Sequence, residues 1–297
     1  MTTPPHGGAL PAARLPDWAR TKSPLARGTR GVRVLLREKA LHTVCEEARC
    51  PNLGECFSRG TATFLLLGDR CTRRCRYCSV STARPLPADP GEPARVAEAA
   101  SRMGLRYVVL TSVDRDDLPD GGASHFAAVV RAVREALPAA GIEVLTPDFK
   151  GDRAAIEAVL EAGPEVFNHN IETVPRLFKH LRAQGRYDVS LEVLAAAKAI
   201  RPRQATKSGL MVGLGETDDE VLAVLNDLRD QGVDIVTIGQ YLRPTREHEP
   251  VHRYVTPEAF RGLEAEARAI GFPTVYAGVF VRSSFNAGEV YRGGGVP

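Results

Sequence analysis

Six cysteines lie between Cys45 and Cys78, and the other 263 positions of the 297-residue chain hold none. Their spacing, Cys45-x4-Cys50-x5-Cys56-x14-Cys71-x3-Cys75-x2-Cys78, makes two groups of three. Disulfides are a poor use for them, because a chain this long builds its own core and no signal-peptide h-region precedes them. Metal suits them better, since close spacing lets one loop deliver several thiolates to one centre. Structural zinc closes its tetrahedron with four ligands, so two threes would need His42 and His125 to complete them. Cubane iron–sulfur clusters also prefer four thiolates, and three leave one iron with a position for something else.

A fold must hold those thiolates, and the flanking residues describe it. The run Thr61-Ala-Thr-Phe-Leu-Leu-Leu67 is β-like and ends at Gly68, so Cys71, Cys75 and Cys78 belong to a loop at a strand's carboxyl end, where parallel α/β folds place ligands. Further β-rich runs occur at 107–111, 142–145, 166–168, 209–212 and 235–238. Between them, Ala-, Leu-, Glu- and Arg-rich stretches at about 92–103, 124–137, 152–162, 189–200 and 217–231 read as helices. Six β/α units predict an α/β fold, a partial (β/α)6 barrel of the TIM type with amino- and carboxyl-terminal extensions. A helix at about 257–270 and a strand at 274–281 would close one side.

The expected division is a basic, mobile arm over 1–37, a cysteine segment over 38–60, the barrel over 61–280 and a tail over 281–297. The arm holds five prolines and seven Lys or Arg against one acid, Asp17. An Arg-rich start also resembles a transit peptide, against which the prolines and scarcity of serine argue. With 43% apolar residues, 25% charged residues, a net charge of +3 and no apolar run near the roughly 20 residues of a spanning helix, a membrane protein is excluded.

In such a barrel the loops after the strands carry the chemistry. They read Thr111-Ser-Val-Asp-Arg-Asp-Asp117, Thr146-Pro-Asp148, Asn168-His-Asn-Ile-Glu172, Gly213-Leu-Gly-Glu216 and Gly239-Gln-Tyr-Leu-Arg243. Asp116, Asp117 and Asp148 serve equally well as helix caps, and His169 is more often a hydrogen-bonded core residue than a ligand. Arg70, Arg73, Arg74 and Arg76 form either a solvated loop or a cationic collar that raises the potential of an anionic cluster.

The stretch Cys71-Thr-Arg-Arg-Cys75-Arg-Tyr77-Cys78 resembles the signature of the radical S-adenosylmethionine (SAM) superfamily. Together with Cys45-Glu-Glu-Ala-Arg-Cys50-Pro-Asn-Leu-Gly-Glu-Cys56, Val113-Asp-Arg-Asp-Asp-Leu-Pro-Asp-Gly-Gly122, Asn168-His-Asn-Ile-Glu-Thr173, Lys207-Ser-Gly-Leu-Met-Val-Gly-Leu-Gly-Glu216, Gly239-Gln-Tyr-Leu-Arg-Pro-Thr245 and Arg282-Ser-Ser-Phe285, it is similar to the lipoyl synthase family from about residue 30 to 287. The resemblance implies two [4Fe–4S] clusters. Cys71, Cys75 and Cys78 match the cluster that binds SAM. Cys45, Cys50 and Cys56 match an auxiliary cluster whose fourth iron is held by the serine matching Ser284. Phe285 stands where the family usually has Tyr.

By the same resemblance, the reaction inserts sulfur from the auxiliary cluster at C6 and C8 of an octanoyl group amide-linked to a lysine. That lysine belongs to a lipoyl-carrier domain or glycine cleavage H protein. Two SAM molecules are consumed, with electrons from ferredoxin or flavodoxin and a carrier to rebuild the auxiliary cluster. No nucleic acid or membrane partner is implied, and the expected compartment is the cytoplasm. Tyr77, Thr111, Ser112, Asp114, Asn168, Asn170 and Glu172 are the expected contacts to SAM, with Gly209, Met211, Gly213, Glu216 and Leu242 near its adenine. Arg243 would serve either a SAM carboxylate or the carrier protein. A methylthiotransferase would instead carry its extra cysteines in a larger amino-terminal domain, and only 44 residues precede Cys45.

Overall fold

The computed structural model describes residues 15–20 and 29–293. Eight strands form one sheet in sequential order among these residues: β1 (His42–Thr43), β2 (Thr63–Leu66), β3 (Tyr107–Ser112), β4 (Gly141–Leu145), β5 (Val166–Asn168), β6 (Ala205–Val212), β7 (Ile235–Gln240) and β8 (Thr274–Gly278). β1 runs antiparallel to β2, and every later neighbour pair is parallel. No pairing joins β8 back to β1 or β2 among the described residues, so the sheet is an open barrel.

The cores on the outer face explain the apolar runs. Leu66, Val108, Leu110, Ile142 and Val144 pack under α4 (Glu92–Arg102), α5 (Ala123–Ala136) and α6 (Arg153–Glu161). Leu210, Val212, Val236 and Ile238 pack under α9 (Asp218–Asp230) and α10 (Pro257–Ile270). Strands buried on both faces read as continuous hydrophobic runs, which is why the strands themselves were legible. α9 starts on a capping box in which Thr217 and Glu220 satisfy each other's backbone N–H groups.

The amino-terminal expectation needs correction. Residues 1–14 and 21–28 of the supposed mobile arm lie outside the described residues, but Thr29–Glu38 is a helix, α1, that buries Val32, Leu35 and Leu36 in the same core as β2. These residues recur at helical spacing, and the last proline, Pro24, precedes them. Leu15–Arg20 is also placed, with Ala19 buried and the Trp18 ring edge-on to Tyr254 at 6.4 Å. The cysteine segment folds as α2 (Val44–Glu47) and α3 (Leu53–Ser58). Between β5 and β6 an unexpected helix, α7 (Pro175–Leu181), precedes α8 (Tyr187–Ile200), and a last helix, α11 (Ala287–Gly293), follows the tail.

Candidate active site

The carboxyl ends of the strands surround one cavity of about 740 Å³. Cys71, Cys75 and Cys78 form part of its wall, in the loop that leaves β2. That loop is tied down from many directions. Cys71 N–H donates to the Ser81 carbonyl (2.8 Å), Thr72 N–H to Asp114 (3.0 Å) and Arg76 N–H to Leu181 (2.9 Å). His248 Nε2 lies 3.0 Å from the Cys78 carbonyl. Burial pushes the thiols of Cys71 up to about 11 and of Cys75 and Cys78 to about 12. Left bare they stay protonated at neutral pH; as iron ligands they would be thiolates, so loading a cluster releases protons.

Cys50 and Ser284 lie on the same cavity, together with Arg282 and Ser283. Cys45 is buried in the adjoining core, and charge on Cys45, Cys50 and Cys56 is mutually felt. The tail is fastened to this segment by Asn52 Nδ2–H donating to the Phe280 carbonyl (2.7 Å) and Arg59 donating to Asn286 Oδ1 (3.3 Å). The donors on the chamber suit iron–sulfur chemistry: the soft thiols of Cys71, Cys75, Cys78 and Cys50, with the Ser284 hydroxyl.

Tyr77, Thr111, Ser112, Asp114, Asn170, Glu172, Gly209, Met211 and Leu242 all line the cavity. Glu172 is a non-glycine residue in left-handed backbone (φ 68°), the kind of strain that functional sites retain. Burial pushes the carboxyls of Asp114 and Glu172 up, against the pull of Arg73 on the first and of Arg182 on both.

Three expected contacts lie elsewhere. Asn168 is fully buried below the cavity and donates to Glu143 Oε1 at 2.9 Å. Glu216 turns back on its own loop, accepting from the N–H groups of Gly213 (2.7 Å) and Leu214 (2.8 Å). A Cβ on Gly213 would sit 2.2 Å from Gln240 Nε2, so this glycine makes room for a side chain, not for a ligand. Arg243 braces its own loop by donating to the His248 carbonyl at 2.7 Å. Arg73 is no collar for a cluster, because three aspartates enclose it: Nε and Nη2 reach Asp116, Nη1 and Nη2 reach Asp148, and Asp114 lies 3.5 Å away.

Arg182 escaped the sequence reading, and His169, read there as more often a core residue than a ligand, also lines the cavity. Arg182, at the carboxyl end of α7, donates to the Asn170 carbonyl (3.2 Å) and stands 5.8 Å from the Phe178 ring. Burial opposes its charge, but the Asp114 and Glu172 carboxylates favour it. His169 holds Nδ1 2.9 Å from the Thr146 carbonyl and leaves Nε2 buried without a partner, an acceptor available to a ligand. Burial, aided by Arg182, depresses its pKa from 6.5 to about 4. Between those values the unfolded chain binds the extra proton, so this residue makes stability fall as pH drops from 6.5 to 4. A depression of that size is worth about 3 kcal/mol. Urea titrations across this window should show that slope flattened in His169→Gln; parallel profiles for parent and variant would refute it.

An open parallel barrel with three cysteines in the loop after its first parallel strand is the architecture of a radical SAM enzyme. A family model described as the Radical SAM superfamily matches residues 65–228, and one described as the N-terminal domain of lipoyl synthase matches residues 7–50. The lipoyl synthase of Rubrobacter xylanophilus is 54% identical over 274 residues, covering 92% of this chain and 85% of that protein. The lipoyl synthase of Thermus thermophilus is 56% identical over 280 residues, covering 93% and 86%. The chain belongs to the lipoyl synthase family. In fold it is similar to HydG, a maturase of the [FeFe]-hydrogenase, with a TM-score of 0.57 at 16% identity over 71% of this chain and 50% of that one.

Proposed function

We propose that this enzyme, a radical SAM lipoyl synthase that inserts sulfur, works with two [4Fe–4S] clusters facing one chamber. Its substrate is an octanoyl chain amide-linked to a lysine of a lipoyl-carrier domain or glycine cleavage H protein, thiolated at C6 and C8. One observation carries the reading: Cys71, Cys75, Cys78, Cys50 and Ser284 border a single cavity. Cys71, Cys75 and Cys78 would hold the SAM-binding cluster through three thiolates, leaving room for SAM at its remaining iron. Bound and reduced, that cluster and SAM supply a carbon radical able to take hydrogen from an unactivated methylene, while the auxiliary cluster supplies sulfur.

The chain's own part is placement and exclusion of water. Thr111, Ser112, Asp114, Asn170 and Glu172 offer hydrogen bonds to the polar parts of SAM, and Tyr77, Gly209, Met211 and Leu242 surround its adenine. Leu15, Ala19, Val44 and Tyr254 provide an apolar wall suited to an alkyl chain. Ferredoxin or flavodoxin as donor, a cluster-repair carrier and a cytoplasmic setting complete the reading; no helix among the described residues is long and apolar enough to cross a membrane.

Anaerobic turnover with SAM, a reductant and an octanoyl-lysine peptide should give mono- and dithiolated products by mass spectrometry; SAM cleavage without thiolation would overturn the reading. Reconstituted protein should hold about eight iron and eight sulfide per chain, whereas about four of each would leave one cluster. Ser284 would be a hard ligand on a soft-ligand cluster, which would favour its release as sulfur departs. Ser284→Cys should therefore retain the auxiliary cluster and transfer sulfur more slowly in a single turnover; undiminished transfer would count against labile ligation.

A further inference from the structure

The inner face of β6 and β7 carries two glycines where a strand buried on both faces ordinarily carries branched aliphatics. Gly209 pairs with Thr237 and Met211 with Gly239, so all four share the face that lines the cavity. Neither glycine has left-handed backbone, so what each provides is space. The tail occupies it. A Cβ on Gly239 would sit 2.2 Å from the Val281 carbonyl oxygen and 3.3 Å from Arg282 Nη1. A Cβ on Gly209 would sit 2.6 Å from Ser283 Oγ, 2.6 Å from Thr237 Oγ1 and 2.9 Å from Asn170 Oδ1.

Fastenings on both sides of these contacts keep the tail in place. Asn52 anchors Phe280, Ser283 Oγ–H donates to Asn170 Oδ1 at 2.7 Å, and beyond them the Tyr291 ring lies 6.0 Å from Tyr107. We infer that Gly209 and Gly239 are paired notches that seat the strap Val281–Ser284 against the sheet, which makes them positioning residues for Ser284. The link to Ser284 rests on its reading as the auxiliary ligand. Gly239 is the stricter notch: its neighbour is a backbone carbonyl, which cannot rotate aside as a side chain does, so an added methyl moves the strap and Ser284 with it. Displacement by about 1 Å costs on the order of 100-fold in a reaction that depends on placement.

The test compares Gly239→Ala with Gly262→Ala, a control in α10 whose added methyl meets nothing within 4 Å. Both are examined as full-length, cluster-loaded protein, beside Ser284→Ala. In Gly239→Ala the thiolated product per 5′-deoxyadenosine should fall about tenfold or more, while SAM cleavage stays within about twofold of the parent. Trypsin should also cut the Arg282–Ser283 bond faster than in the parent or the control. Unchanged protection of that bond, or an equal fall in cleavage and thiolation, overturns the inference. If Ser284→Ala keeps the auxiliary cluster's Mössbauer spectrum and thiolation while Gly239→Ala exposes the bond, the ligand reading falls and the seating role stands. Should Gly239→Ala not fold, Gly209→Ala carries the trypsin comparison alone, because its conflicts are with hydroxyl and amide groups that can shift.

Discussion

Arg73→Met should destabilise the folded protein by about 3–5 kcal/mol, the cost of removing one partner from a buried ion network, and should prevent the SAM-binding cluster from being retained. The guanidinium lies in the cluster loop between Cys71 and Cys75 and is 4% exposed. It donates to Asp116 at 2.8 and 2.9 Å and to Asp148 at 2.6 and 2.7 Å, so it staples that loop to the chain leaving β3 and β4. Bidentate pairing of this kind demands arginine's fork, and Arg73→Lys should recover only part of the loss.

The loss carries a pH signature. Burial alone would raise the Asp148 carboxyl, but the hydrogen bonds and charge of Arg73 take it well below the usual carboxylate range. A depressed carboxylate contributes stability that is present above the unfolded value of 3.8 and lost as pH falls through the folded one. In Arg73→Met the carboxylate is buried without its cation, and protonation relieves it. The gap between parent and variant in urea titrations should therefore narrow as the solution is acidified toward pH 4; a gap independent of pH would mean that the staple is not ionic.

The second large effect lies below the cavity. Lys207 Nζ meets Glu143 at 2.9 and 3.1 Å with both side chains 1% exposed, and Asn168 and Tyr107 donate to the same carboxylate at 2.9 and 3.1 Å. Lys207→Met leaves that carboxylate buried without a cation and should cost about 3–5 kcal/mol. Adding Glu143→Gln removes the charge and should restore most of the loss, because an apolar or neutral replacement of a whole buried pair is often close to neutral. If the double variant is as unstable as the single one, packing and not charge governs this layer. Asn168→Ala should likewise affect stability and leave the SAM concentration dependence unchanged.

This buried layer shows where sequence reasoning stops. The six β/α units were legible because apolar runs and Ala-rich stretches alternate, and the cysteine trios because all six cysteines crowd between Cys45 and Cys78. Asn168 reads the same whether its amide meets SAM or Glu143, since the partner lies 25 residues away. Arg73 and Arg182 look like solvated loop residues until the fold surrounds them with carboxylates. β6 begins at Ala205, four residues before the apolar run at Gly209, because Thr206, Lys207 and Ser208 interrupt the apolar pattern, with only Lys207 on the inner face of Gly209 and Met211. The helical spacing in α1 was there to be read, but the prolines before it drew attention to disorder instead.

The two cysteine sites also differ in when they can exist. Cys71, Cys75 and Cys78 lie within eight consecutive residues, whereas the auxiliary segment is joined to the tail by a contact spanning 228 positions. Closing so long a loop carries an entropy cost that grows only slowly with length but must precede the contacts that offset it. During synthesis the loop of Cys71, Cys75 and Cys78 is complete long before the strap that, on the proposed reading, finishes the second site has been made. On the proposed reading, a chain that ends before residue 281 keeps Cys71, Cys75 and Cys78 but lacks Ser284, the oxygen donor of the second site.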